Sequence, residues 1–221
     1  MNIYLDTVDL DEIRNATSAG LADGVVFSYA ALSTVGGDEE IRERVEEISR
    51  EFAFPVCVSV GAVTSSDIYT EARDLAKVSD HIVVQIPLVE DSLVPMSRLT
   101  AEGVMVCATY VFSAAQAIIA AKAGAAAVSV ALEELERYGQ AGTRTLAEIK
   151  SVLDAGGEEC DVMAASPRSS VEFAESALAG ADIICVTPTA LRNLVVHPLS
   201  DRGIDRFLSE LAKRPKTRIP T

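Results

Sequence analysis

Lysine is scarce in this 221-residue chain: Lys77, Lys122, Lys150, Lys213 and Lys216 are the only five among 19 basic residues. None stands at the end of a strand-like run, where a barrel of strands and helices would place a reacting group. Cysteine is also sparse. Cys57, Cys107 and Cys185 lie in apolar strand-like runs and Cys160 in a turn-like stretch, with no CxxC pair among them. That spacing argues against a disulfide framework or a structural zinc site and for buried, reduced thiols. Of the two histidines, His81 begins a strand-like run and His197 precedes Pro198, so neither is placed for catalysis. The chain lacks any window of the roughly 18 to 20 uncharged apolar residues that a membrane span requires. Its start, MNIYLDT, has no basic region like that of a secretion signal. The expectation is a soluble, cytoplasmic protein with no metal and no cofactor.

Positive charge is the other deficit. The 33 acidic residues give a formal net charge of -14, which repels phosphate backbones and acidic membrane faces and excludes nucleic acid and membrane partners. An acid-rich, lysine-poor surface also suits a salt-loaded cytoplasm, where hydrated carboxylates keep a protein in solution. What remains as a partner is a small molecule or another copy of the chain. With 49% hydrophobic residues and a mean hydropathy of +0.25, the chain can bury a sizeable core.

Strand signals recur at Ile3 to Asp6, Gly24 to Phe27, Pro55 to Val60, His81 to Ile86, Val104 to Ala108, Ala126 to Val130, Asp161 to Ala165 and Asp182 to Thr187. Amphipathic helical patterns fill the intervals. Strict alternation with short connections gives an open doubly wound sheet or a closed eight-stranded barrel. Eight near-equal units, with no glycine-rich phosphate fingerprint after the first strand, favour the (β/α)8 TIM barrel. No composition shift marks a boundary, so residues 1–221 read as a single domain. An extra segment at 201–212 carries Ile204, Phe207, Leu208 and Leu211 at helical spacing, ahead of a basic tail, KRPKTRIPT. That segment is surplus to the barrel and free to dock on a neighbouring subunit.

In a barrel the chemistry sits at the C-terminal strand ends. The polar residues there are Asp6, Ser28, Ser59, Gln85, Thr109, Glu133 with Glu134, Ser166 with Arg168, and Thr187. Asp6 either faces the mouth or merely caps the following helix. Thr109 either binds a ligand or satisfies a backbone carbonyl. In Ser166-Pro167-Arg168 a hydroxyl and a guanidinium precede a helix start, an arrangement that can receive an anion.

The start MNIYLDT, the ADGVV run at 22–26, the DHIVVQIPL strand, the stretch from 101 to 125 and AASPRS at 164–169 resemble the small transaldolase and fructose-6-phosphate aldolase family. The resemblance runs from about residue 1 to 200 and more weakly beyond. It implies a ring-built oligomer, a pentamer or decamer, with the C-terminal helix on a neighbour. It also implies a Schiff base between a strand-four lysine and a keto sugar. That lysine, written VKVP or VKIP in the family, is matched here by Gln85 in VQIP, and an amide cannot form an iminium. Phe27 and Ser28 replace a threonine and an asparagine. Ser59 stands for a water-holding glutamine, Ala131 for a water-activating tyrosine and Glu134 for a phosphate-binding arginine. Asp6, Thr109, Ser166 and Arg168 keep the family's residues.

Two functions follow as expectations. One is transaldolase-like or aldolase-like chemistry without a Schiff base on a small anionic carbonyl or sugar-derived substrate. In it Asp6, Gln85 and Thr109 are catalytic, and Ser28, Ser59, Glu134, Ser166 and Arg168 bind substrate. The other is a catalytically inactive member that binds a metabolite or serves as a structural or regulatory oligomer.

Overall fold

The computed structural model describes residues 1–213. The first half of the chain runs β1 (Asn2–Asp6), α1 (Leu10–Ser18), β2 (Gly24–Phe27), α2 (Tyr29–Leu32), α3 (Asp38–Glu51), β3 (Val56–Ser59), α4 (Ser65–Ala76) and β4 (Ile82–Pro87). The second half runs α5 (Leu93–Ala101), β5 (Met105–Thr109), α6 (Ala114–Lys122), β6 (Ala127–Ala131), α7 (Leu132–Arg137), α8 (Gly142–Gly156), β7 (Asp161–Ala165), α9 (Ser170–Leu178), β8 (Ile183–Val186), α10 (Pro188–Asn193) and α11 (Pro198–Lys213). All eight strands pair in parallel in chain order, and β1 closes on β8 through Ile3 against Ile184 and Leu5 against Val186. The result is the (β/α)8 barrel with its extra C-terminal helix.

The expected strands all form, with ends displaced by at most two residues. Pro87 ends β4 opposite Thr109, and the next amide, Leu88, donates to the Thr109 carbonyl at 3.0 Å. A proline fits there because the last strand position need not donate. The C-terminal helix starts three residues earlier than 201, because Pro198 sits in the first turn, where an N–H would have no partner. Two short helices, α2 and α7, occupy connections that carry no amphipathic repeat of useful length. The tail beyond Lys213 lies outside the described residues.

Side-chain alternation along each strand divides the core in two. Leu5, Val25, Val58, Val84, Val106, Val128, Val162 and Ile184 point outward under the helices and belong to the larger cluster. Burying one such aliphatic side chain stabilises the fold by roughly 1.5–3 kcal/mol. Tyr4, Val26, Cys57, Val83, Cys107, Ala127, Met163, Ile183 and Cys185 fill the barrel interior. Polar first turns hold the helices in place. Asp9 accepts from the amides of Asp11 at 2.9 Å and Glu12 at 3.2 Å, and Ser169 accepts from Glu172 at 3.1 Å.

Tyr4 pairs across the strands with Gly24, and a Cβ built on Gly24 would lie 2.7 Å from the Tyr4 ring. The ring occupies the space a side chain would need. We expect Gly24→Ala to destabilise the barrel by about 1–3 kcal/mol through overpacking, and Tyr4→Val in the same chain to recover part of that loss. Urea titration with an unchanged slope is the measurement. A Gly24→Ala protein as stable as the parent would show that the ring moves aside freely.

Candidate active site

Two residues beyond the apolar interior positions, the same faces of the strands reach the C-terminal mouth. Counting up from Tyr4, Val26, Cys57, Val83, Cys107 and Ala127 gives Asp6, Ser28, Ser59, Gln85, Thr109 and Ser129. All six line one cavity of about 380 Å³, whose wall also includes Tyr29, Tyr110, Glu133, Glu134 and Ser166. Cys185 and Met163 form part of its floor. Strand periodicity and barrel closure therefore gather six polar residues that are scattered through the sequence from Asp6 to Ser129, and Ser166 joins them from just after β7.

Gln85 is 4% exposed. Its carbonyl oxygen accepts from the Ser59 hydroxyl at 3.0 Å, so the amide N–H groups are the part left for a ligand or for the thiol beside them. Cys107 is that thiol. Burial pushes its pKa up to about 12, and the Gln85 amide draws it part of the way back. Burial likewise raises Cys57 and Cys185 well above the ordinary thiol range, with neighbouring thiols adding to it at Cys57 and Asp6, then Cys107, at Cys185. All four cysteines are unpaired and buried. Neutral, enclosed thiols pack; they do not attack.

Asp6 does not cap α1, since Asp9 does that. Instead the Asp6 carboxylate accepts from the Ser28 amide at 3.4 Å. Burial raises its pKa above the usual aspartate value, and the hydrogen bonds from Ser28 offset part of that rise. A carboxyl group so placed holds its proton closer to neutrality than an exposed one, as a general acid or base requires. Ser28 has a second duty, because its hydroxyl oxygen accepts from Ala31 at 3.2 Å and caps α2. Thr187, the remaining strand-end candidate, caps α10 by accepting from Ala190 at 3.2 Å.

Two residues of the wall, Tyr110 and Ser166, have φ of +58°. Left-handed backbone at a non-glycine residue costs about 1 kcal/mol or more and persists where its surroundings hold it, often at functional sites. Here it turns the chain out of β5 and β7 at the rim.

Arg168 is not in the wall. Its guanidinium pairs with Glu136 and, at 2.7 Å, with Glu172, while its amide donates to Glu172 at 2.7 Å. Glu136 comes from α7, so this partner of Arg168 lies 32 positions upstream. The Ser166 hydroxyl lines the cavity, and the Arg168 guanidinium is engaged by carboxylates outside its wall. Glu133 and Glu134 do reach the wall and share Arg137, at 2.8 and 3.1 Å. Tyr29, Tyr110 and Ser129 were not among the sequence candidates. Only Ser129 carried a usable signal, since it lies two residues before Ala131 on one strand face.

No lysine lines the cavity among the described residues. Lys77 pairs with Asp74 at 2.5 Å, Lys122 with Glu158, and Lys150 with Asp154 at 3.0 Å and Asp182 at 3.1 Å, all on the outer helices. Lys213 closes α11.

The sequence profile described as Transaldolase/Fructose-6-phosphate aldolase matches residues 3–218. The chain belongs to this family. It is 37% identical over 213 residues to a probable transaldolase of Chelativorans sp. (strain BNC1), covering 96% of this chain and 97% of the relative. With the probable transaldolases of Rhizobium meliloti (strain 1021) and Bartonella tribocorum (strain CIP 105476 / IBS 506) it shares 37% and 38% over the same shares of each chain. Within the transaldolase/fructose-6-phosphate aldolase family, the strand-four position where the resemblance implies a lysine is filled here by Gln85, in the wall of the cavity. No helix among the described residues is long and apolar enough to cross a membrane.

Proposed function

We propose that this family member makes or breaks a carbon-carbon bond in a small carbonyl or sugar-derived compound without a Schiff base. One observation carries the reading: a carboxyl group with raised proton affinity, Asp6, shares a closed-floored cavity with the buried amide of Gln85, and no lysine stands in the wall. In the cleavage direction the Asp6 carboxylate takes the proton of the hydroxyl on the carbon being released, and the carbon-carbon bond breaks. The bonding pair moves into an enediolate, whose oxygen accepts from the Gln85 amide and the Thr109 hydroxyl. Return of the proton from Asp6 to carbon completes the balance. An amide and a hydroxyl stabilise that charge less than an iminium does, so turnover is slow. The chemistry uses no cofactor and needs one cytoplasmic domain.

A screen of small keto and aldehyde compounds for bond cleavage or exchange, with and without borohydride, tests this. The expected result is turnover of at least one compound, undiminished by borohydride treatment of the protein. Ligand binding with no turnover of any compound would favour the second reading, a metabolite-binding member without catalysis, for which the absence of a lysine in the wall also speaks.

We also propose a homo-oligomer, a pentamer or decamer, joined through α11. The support is an amphipathic helix with no buried residue, whose Ile204, Phe207, Leu208 and Leu211 are 56%, 59%, 56% and 42% exposed on one stripe. An apolar stripe at that spacing is a surface for another chain. Ending the chain after Ser200 is expected to give a smaller, less soluble species in light scattering. Full-length protein that is monomeric at both moderate and high salt would remove the proposal.

A further inference from the structure

The wall of the cavity contains three carboxylates, Asp6, Glu133 and Glu134, and no basic side chain. The guanidinium groups of Arg137 and Arg168 are engaged by carboxylates. Arg137 is shared by Glu133 and Glu134, and Arg168 is held by Glu136 and Glu172. Four carboxylates therefore pair with two cations at this side of the rim, and with Asp6 in the wall as well the field at the mouth is negative. A phosphate or carboxylate entering here meets like charge.

Three further observations describe what would fit. Ser129 is 7% exposed and lines the cavity. It lies on the inward face of β6 between the positions of Ala127 and Ala131, and its hydroxyl makes no hydrogen bond among the described residues. A hydroxyl on a buried residue that opens onto a cavity and has no protein partner is a place for a ligand's polar atom. Next to the cavity is a second hollow of about 370 Å³, lined by Tyr110, Phe112, Glu134, Leu135, Tyr138 and Gln140. The two hollows share Tyr110 and Glu134. Tyr110 and Phe112 lean together with ring centroids 6.3 Å apart, and Tyr110 and Tyr138 are 50% and 81% exposed. Aromatic faces beside a carboxylate are the surroundings that hold a protonated amine, through cation–π attraction and a charge-assisted hydrogen bond.

The geometry points to a ligand that carries a protonated amine beside its hydroxyl or carbonyl groups. The amine sits between Glu134 and the Tyr110 and Tyr138 rings, and the oxygens reach Ser129, Gln85 and Thr109. This rests on the proposal that the cavity is where the carbonyl compound binds, and it names the charge class of that compound.

A matched set tests it: 1-amino-1-deoxyfructose, fructose and fructose 6-phosphate, titrated into the full-length protein by calorimetry at pH 7. The amine is expected to bind tightest and the phosphate weakest. Glu134→Gln should lower the ratio of amine to fructose affinity about tenfold, and Tyr138→Ala should lower it several-fold. Added salt should weaken the amine and not fructose. Binding of fructose 6-phosphate as tight as that of the amine, no measurable binding of the amine, or an affinity ratio untouched by Glu134→Gln would each overturn the inference. Preferred amine binding with no turnover in the carbonyl screen would leave it standing and remove the catalytic reading. Turnover of an anionic or neutral compound without amine preference would do the reverse.

Discussion

Borohydride reduction in the presence of dihydroxyacetone or fructose 6-phosphate leaves the mass of this protein unchanged, while Gln85→Lys reduced in the presence of dihydroxyacetone gains a dihydroxyacetone adduct at position 85. The wild-type result follows from the wall of the cavity, which holds no lysine among the described residues. The variant result follows from the burial of position 85, which is 4% exposed. Burial disfavours an ammonium and leaves more of the amine free to attack, although the nearby Asp6 carboxylate opposes this by favouring the charged form. The change is from no adduct to one per chain, read by mass spectrometry. Cleavage of fructose 6-phosphate by Gln85→Lys nevertheless stays negligible, because Glu133 and Glu134 still repel its phosphate. Adding Glu134→Arg to Gln85→Lys is expected to raise that cleavage by about tenfold or more. A sugar adduct on any lysine of the wild type would end the Schiff-base-free reading. Strong cleavage by Gln85→Lys alone would show that Ser59, Ala131 and Glu134 matter little.

Asp6→Asn is expected to lower turnover by roughly 10²–10⁴ and, at neutral pH, to stabilise the fold. On the proposed route Asp6 carries the only proton transfers, and loss of a positioned acid or base lowers rates by roughly 10²–10⁴. Its effect on stability has the opposite sign. The folded protein raises the pKa of Asp6 because burial disfavours the charged form. Between the unfolded value and the raised folded value the native state therefore binds more protons than the unfolded state, and stability falls as pH rises through that window. Above the window the ionised, buried carboxylate carries its full penalty. Asparagine keeps the oxygen that accepts from Ser28 and carries no charge, so it escapes that penalty. The melting temperature of Asp6→Asn should exceed the parent's at pH 7, and the gap should close as the solution is acidified below the unfolded aspartate value of about 3.9. A variant less stable than the parent at pH 7 would mean that the Ser28 hydrogen bonds outweigh burial.

The barrel is legible in the sequence, and so are most of the residues at its mouth. Branched apolar runs alternating with capped amphipathic helices admit few folds, and the local chemistry of Asp9 or Ser169 at a helix start works the same in any context. Asp6, Ser28, Ser59, Gln85, Thr109 and Ser166 were found because each lies at the end of a strand signal, and closing eight parallel strands brings those ends around one cavity. The departure at Gln85 could likewise be read from one letter, since whether a side chain can form an iminium depends on its own atoms.

Arg168 shows where that reading stops. Its position before a helix is local, but its direction is decided by Glu136, which α7 carries to the rim from 32 residues away. No spacing rule pairs those two residues. Helix α7 itself is six residues long, too short for periodicity to reveal, and it also delivers Glu133 and Glu134 to the wall. Tyr110, just after β5, and Tyr138, just after α7, line one hollow only once the barrel has closed. Which residues a strand points inward depends on its own period of two. Which charges meet, and so whether the cavity is positive or negative, depends on side chains from separate elements competing for one another across the closed barrel.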